Sequence, residues 1–136
     1  MPDERHTRGL IDTSVVIDLK LIEPAALPLE LAVSAITMAE LAAGPHATAD
    51  PAERARRQDR LQRAEATFEP LPVDSAVARA YGRVYAAVGA TGRKARGRRA
   101  VDLFIAATAV AAGLPLYTRN PDDFAGLSDI LEIIPV

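Results

Sequence analysis

Gly9-Leu10-Ile11-Asp12-Thr13-Ser14 is the stretch from which the fold can be read. Leu10 and Ile11 form a short apolar strand that ends on Asp12, and Ser14 is placed to start a helix over residues 15–21. The same grammar recurs at Leu31-Ala32-Val33-Ser34, a second strand, followed by a helix over residues 37–43 that Gly44-Pro45 stops. Between them Pro24 and Pro28 punctuate the chain, with one short helix over residues 25–31. Residues 52–68 are rich in Arg, Ala, Gln and Glu, a strong helix composition. Residues 68–73 are strand-like, and Pro70 and Pro72 confine them to an edge. Asp74 or Ser75 caps a helix over residues 76–88. A Gly-rich basic loop over residues 89–97 leads into a helix over residues 98–112, apolar enough to demand burial on most sides. Gly113 ends it, and residues 114–118 and 130–136 are strands. Strands alternating with helices predict an α/β fold with a mainly parallel sheet of four to five strands and helices on both faces.

The 136 residues suffice for one domain with a real core, so residues 1–136 are taken as a single domain. Aromatics are only 4% and Trp is absent, so that core must be made of Ala, Val, Leu and Ile. Cysteine is absent too, which excludes disulfides, thiolate zinc sites and cysteine nucleophiles and fits a reducing cytoplasm. Residues 1–8 are charged and carry no secretory pattern, and the longest apolar run, residues 103–112, is far below the ~20 residues of a membrane span. A cytoplasmic location is expected. The formal net charge of −2 advertises no polyanionic partner, yet Arg54, Arg56, Arg57, Arg60 and Arg63 cluster in one segment. Arg93, Lys94, Arg96, Arg98 and Arg99 cluster in another.

The acids are more informative. Asp12, Glu40 and Asp102 are embedded in apolar segments, and a fourth site, Asn120-Pro121-Asp122-Asp123-Phe124, follows the strand at Leu116-Tyr117-Thr118. Carboxylates beside core-forming segments lower stability unless they are paired or metal-bound. In open α/β sheets ligands sit outside the carboxyl ends of the strands, where Asp12 and the 120–123 loop fall. There the acids can converge into an all-oxygen site for a hard divalent cation, the equipment for metal-assisted phosphodiester cleavage. Each acid also has a plainer reading. Asp12 can cap the helix that follows, and the hydroxyls of Thr13 and Ser14 can either orient a water or cap. Thr37-Met38-Ala39-Glu40 fits a capping box, with Glu40 reaching back to the cap amide. Asp122 and Asp123 can be turn residues after Asn120-Pro121. Asp102, the only charge in Ala100–Ala107, has no such structural explanation. A phosphoacceptor domain would want a lysine after a late strand, and neither Lys20 nor Lys94 is so placed.

Asp12-Thr13-Ser14, Met38-Ala39-Glu40-Leu41, Asp102-Leu103-Phe104-Ile105-Ala106-Ala107-Thr108-Ala109 and Thr118-Arg119-Asn120-Pro121-Asp122-Asp123-Phe124 resemble, in order, the motifs of PIN-domain ribonucleases, in particular the VapC-type toxins of toxin–antitoxin pairs. The resemblance spans nearly the whole chain. It implies a three-layer α/β/α sandwich, endonuclease action on RNA with one or two Mg²⁺ or Mn²⁺ ions, a homodimer and a cognate antitoxin. Residue by residue, it makes Asp12, Glu40, Asp102 and Asp123 the metal-binding and catalytic acids. Asp122 or Asn120 is the rival for the fourth place, and Thr118 is a polar neighbour. Residues 1–8 precede the family's first strand and are expected to be accessory. Arg93, Lys94, Arg96, Arg98, Arg99 and Arg119 are the expected RNA contacts. The 54–63 cluster, mixed with Glu53, Asp59 and Glu65, is expected to be a solvated face, and His6 and His46 are expected at the surface. An antitoxin groove is expected between the helices of residues 14–31 and 37–43. The alternatives are an RNA-processing nuclease without antitoxin and a catalytically silent binding module.

Overall fold

Side chains alternate across a strand, and here that alternation sorts neighbouring residues into two separate cores. Leu10, Ala32 and Leu116 face one way, and Ile11, Val33 and Tyr117 face the other. The computed structural model describes residues 5–91 and 98–136, and of Arg98 only the backbone. Its strands are β1 (Arg8–Ile11), β2 (Glu30–Ala32), β3 (Leu116–Thr118) and β4 (Ile133–Pro135), in the order β2-β1-β3-β4 and all parallel. The register pairs Gly9 with Leu31, Leu10 with Leu116 and Leu116 with Ile133. The helices are α1 (Thr13–Ile17), α2 (Ala35–Ala43), α3 (Pro51–Thr67), α4 (Ser75–Gly89) and α5 (Arg98–Ala112). The first core is closed by α4 and α5, with Val77, Ala80, Val84 and Val88 of α4 at helical spacing against Leu103, Ala106 and Ala107 of α5. The second is closed by Val15 and Val16 of α1, Leu41 of α2 and Ala64 of α3. Helices on both faces make this the expected three-layer sandwich.

The fifth expected strand, at residues 68–73, is reduced to one parallel bridge between Ser34 and Leu71. Pro70 and Pro72 have no N–H to donate, so no ladder can grow on either side of it. The first strand begins earlier than expected. Arg8 lies in β1, and the carbonyls of His6 and Thr7 accept from Leu29 (3.0 Å) and Glu30 (2.9 Å). Residues 6–8 are thereby tied to the start of β2. His6, exposed as expected, has a partner in Glu132 at 3.1 Å. Gly9 is required by packing: a side chain there would collide with the rings of Tyr117 and Pro28. Gly113, at φ +67°, ends α5 as expected. Among the described residues no helix is long and apolar enough to cross a membrane.

Candidate functional site

The chain leaves central β1 toward β2 on one side, whereas its other neighbour, β3, leads to β4 on the opposite side. The crevice outside the ends of β1 and β3 is thus the topological switch point, the usual ligand site of such sheets. Asp12 stands there, only 5% exposed, with its N–H donating to the Tyr117 carbonyl at 3.1 Å. Its Oδ1 accepts from the Ser14 hydroxyl (2.6 Å) and from the Val15 N–H (3.1 Å). Asp12, not Ser14, is therefore the cap of α1, since its oxygen satisfies an amide of the first turn. Ser14 instead links the two strand ends, accepting the Arg119 N–H at 3.1 Å while donating to Asp12. No cation pairs with the Asp12 carboxylate among the described residues.

Glu40 reaches the same corner by a route the capping-box reading did not foresee. Ser34 caps α2, accepting the Thr37 N–H at 3.1 Å, so the helix starts two residues before the expected 37–43 segment. Ser34 is held extended by the bridge to Leu71, whose carbonyl takes the Ala35 N–H at 2.8 Å. Glu40 is consequently the sixth helical residue, too far along to reach the cap. Its Oε1 lies 2.5 Å from Thr13 Oγ1, which is also 3.1 Å from Thr37 Oγ1. One hydroxyl has one proton. The charged acceptor at the shorter distance takes it, and Thr37 supplies the proton of the second bond. Asp12 and Glu40, from separate segments, are thus fixed by adjacent hydroxyl residues of one turn.

Asp102 is half-buried at the fifth position of α5. The chain after β3 forms a 3-10 turn, Pro121–Phe124, anchored by Phe124 at 1% exposure. In it Asp123 is half-buried and Asp122 exposed, and the Asp123 N–H donates to the Asn120 carbonyl at 3.0 Å. Thr118 is fully buried, and its hydroxyl accepts the Asn120 N–H at 2.9 Å, a turn-holding role. The acid-bearing segments touch in series: α1 with α2, α2 with α5, and α5 with the Pro121–Phe124 turn. The expected convergence stops at that level. Among the described residues no three His, Asp or Glu side chains come together as a group able to hold a metal ion. The donor chemistry nevertheless fits a hard cation, because it consists of carboxylate and hydroxyl oxygens around a buried carboxylate that has no cationic partner among the described residues.

Of the expected RNA contacts, Arg93, Lys94 and Arg96 lie outside the described residues, as does the Arg98 side chain. Arg119 turns its guanidinium toward Asp18 (3.4 Å), and Arg99 points at the Asp123 carbonyl (3.5 Å). The 54–63 cluster is less uniform than a solvated face. A cavity of about 370 Å³ is lined by Thr13, Glu40, Glu53, Arg57 and Arg60. A second, also about 370 Å³, runs between α1, the turn Leu19–Leu21 and α3, with Val16, Leu19, Ala64 and Phe68 among its walls and Lys20 and Arg60 on its rim. This groove opens along α3, whereas the cavity that holds Glu40 lies between α1, α2 and α3. Arg60 belongs to both cavities, and the sequence held its signal. Positions three and four residues away on either side, Arg56, Arg57, Arg63 and Ala64, offer it no acid.

A model of the PIN domain family matches residues 9–129 of the chain. Ribonuclease VapC5 of Mycobacterium tuberculosis (strain ATCC 25618 / H37Rv) is 38% identical over 133 residues, covering 94% of this chain and 95% of that one. Ribonuclease VapC4 of the same strain is 35% identical, covering 95% and 97%. Among solved structures, a VapBC-5 toxin–antitoxin structure from Mycobacterium tuberculosis superposes with a TM-score of 0.81 at 37% identity, covering 96% of this chain and 99% of that chain.

Proposed function

The chain belongs to the PIN-domain family, with VapC ribonucleases as its relatives, and from that premise we propose that it is a metal-dependent endoribonuclease acting as the toxin of a toxin–antitoxin pair. The observation that carries this reading is the pairing of Asp12 and Glu40 at the switch point, each locked by a hydroxyl of the Thr13-Ser14 turn. Asp12, Glu40, Asp102 and Asp123 would hold the cation. Asp123 is preferred to Asp122 or Asn120 because it is half-buried where both of those are exposed. Mg²⁺ or Mn²⁺, one ion or two, suits an all-oxygen donor set. When bound, such a cation supplies Lewis-acid stabilisation of charge on the phosphate and acidification of the attacking water. The protein's own part is orientation. Ser14 and the Val15 amide fix Asp12 Oδ1, Thr13 fixes Glu40, and an acid of this set takes the water's proton. Water, not a 2′-hydroxyl, is the nucleophile, so the products carry 5′-phosphate and 3′-hydroxyl ends.

The antitoxin would engage the apolar groove between α1, the Leu19–Leu21 turn and α3, where Ile17 is 45% and Leu21 is 75% exposed. A homodimer in the cytoplasm completes the reading. The test is cleavage of a total RNA pool by purified protein with and without Mg²⁺ or Mn²⁺, beside Asp12→Ala and Asp102→Ala. Metal-dependent cutting that both substitutions abolish supports the reading. Cutting no greater than that of the mutants, with antitoxin carry-over excluded, overturns it in favour of a binding module.

A further inference from the structure

Five arginines decorate α3, and four of them are used internally. Arg54 donates to the carbonyls of Pro45 (3.0 Å) and Thr48 (2.9 Å). Arg56 and Arg57 share Glu53, and Arg57 also donates to the Gly44 carbonyl at 2.9 Å. Arg63 pairs with Asp59. The consequence is visible on the acids: Arg56 and then Arg57 hold the Glu53 carboxyl below its ordinary range, and Arg63 does the same to Asp59. Arg60 differs. It is half-buried, and it makes no hydrogen bond or ion pair among the described residues. With residues 53, 57, 64 and 67 it forms the α3 stripe that faces the cavities, and it lines both of them.

We propose that Arg60 is a phosphate-binding residue that seats the RNA backbone beside the cleavage site, on the Glu40 side. The proposal rests on the ribonuclease reading above. A partly desolvated guanidinium with no acceptor is an unfavourable arrangement that an incoming anion relieves. Its planar fork of five donors matches phosphate oxygens, which it can bind in pairs. The cavity it shares with Glu40 and Thr13 puts that anion next to the proposed chemistry. Arg56, Arg57 and Arg63 contribute less there, because Glu53 and Asp59 already engage their guanidiniums.

The test is binding of a short fluorescein-labelled single-stranded RNA, by anisotropy in chelator so that nothing is cut, over a range of salt. Wild type is compared with Arg60→Ala, Arg60→Lys and, on the opposite face of the sheet, Arg79→Ala, with folding checked by circular dichroism. Arg60→Ala should weaken binding roughly tenfold and flatten the slope of log affinity against log salt by about 0.7, the release expected for one phosphate on a single strand. Arg60→Lys should keep most of the slope, and Arg79→Ala all of it. Unchanged affinity and slope in Arg60→Ala, with wild type still cutting RNA, overturn the proposal and leave the ribonuclease reading standing. Weaker binding with an unchanged slope also overturns it, because a packing role releases no counterions. Unchanged RNA binding with weaker antitoxin inhibition would assign Arg60 to the protein partner and overturn the RNA role. Wild type that neither binds nor cuts RNA overturns both readings.

Discussion

The two faces of the sheet are made by adjacent residues of the same strands, yet the core on one is closed by apolar packing of α4 and α5 and the core on the other is bordered by the hydroxyl–carboxylate contacts of Asp12 and Glu40. Leu10 and Leu116 are fully buried against α5, where Leu103, Ala106 and Ala107 leave no solvent-exposed surface. Ile11, fully buried, and Tyr117 sit one residue further along and support α1 and α2, which hold Asp12, Thr13, Ser34, Thr37 and Glu40 in bonded contact. Close packing on one side gives the other a rigid floor. Polar groups can be buried there because nearly every one has a partner: no deeply buried side-chain nitrogen or oxygen lacks one among the described residues.

The comparison breaks most sharply at Asp12. Asn caps a helix about as well as Asp and has the same shape, so Asp12→Asn keeps the cap and removes the charge. We expect RNA cleavage to fall by more than ~100-fold, beyond the 10–100-fold typical of residues that merely support a metal ligand, with no loss of melting temperature. Retained cleavage would reduce Asp12 to a cap. In the α4–α5 core, Leu103→Ala should lower unfolding stability by about 2–5 kcal/mol in urea with little change in the urea dependence, while protein that remains folded cuts RNA far better than Asp12→Asn, because the neighbouring Asp102 carboxylate is kept. Lost cleavage in fully folded Leu103→Ala would show that the faces are not independent. Thr13→Val removes the hydroxyl that holds Glu40, and a roughly tenfold drop in cleavage is expected, restored by Thr13→Ser.

The smallest effect concerns the outer rim. The Glu53 carboxyl is held below its ordinary value of 4.5 by Arg56 and Arg57, so the protonated form is disfavoured by folding. Its contribution is present above pH 4.5 and is lost as pH falls through the lower folded value. The melting temperature of Glu53→Gln should therefore lie slightly below wild type at neutral pH and converge with it in acid. Because the pairs remain in contact with solvent, the gap should be small and should shrink further in high salt. A gap that widens in acid would contradict the ion-pair account.

Most of the element order was legible because its signals are local. Leu10-Ile11, Leu31–Val33 and Leu116-Tyr117 announce buried strands, Asp74 announces a cap that accepts the Val77 N–H at 3.0 Å, and the apolar 98–112 run announces a buried helix. What went astray needed a neighbour from elsewhere in the chain. Ser34 and Thr37 are both acceptable caps, and only the Leu71 bridge holds Ser34 extended and so selects it. At the site, the motifs singled out Asp12, Glu40, Asp102 and Asp123 as candidates. They could not reveal that Asp12 also caps α1, or that Glu40 is held by Thr13 rather than by its own helix.

The sequence by itself determined the periodicity of strands and helices, the composition of the core, the acidic motifs and the absence of acids around Arg60. Each depends on residues a few positions apart, where backbone geometry sets the outcome. Only the tertiary structure decided which oxygen meets which proton. The Thr13–Glu40 contact spans 27 residues and the Arg119–Ser14 contact spans 105. Parallel strands are joined through crossovers, so residues far apart in sequence become neighbours only once both cores have closed.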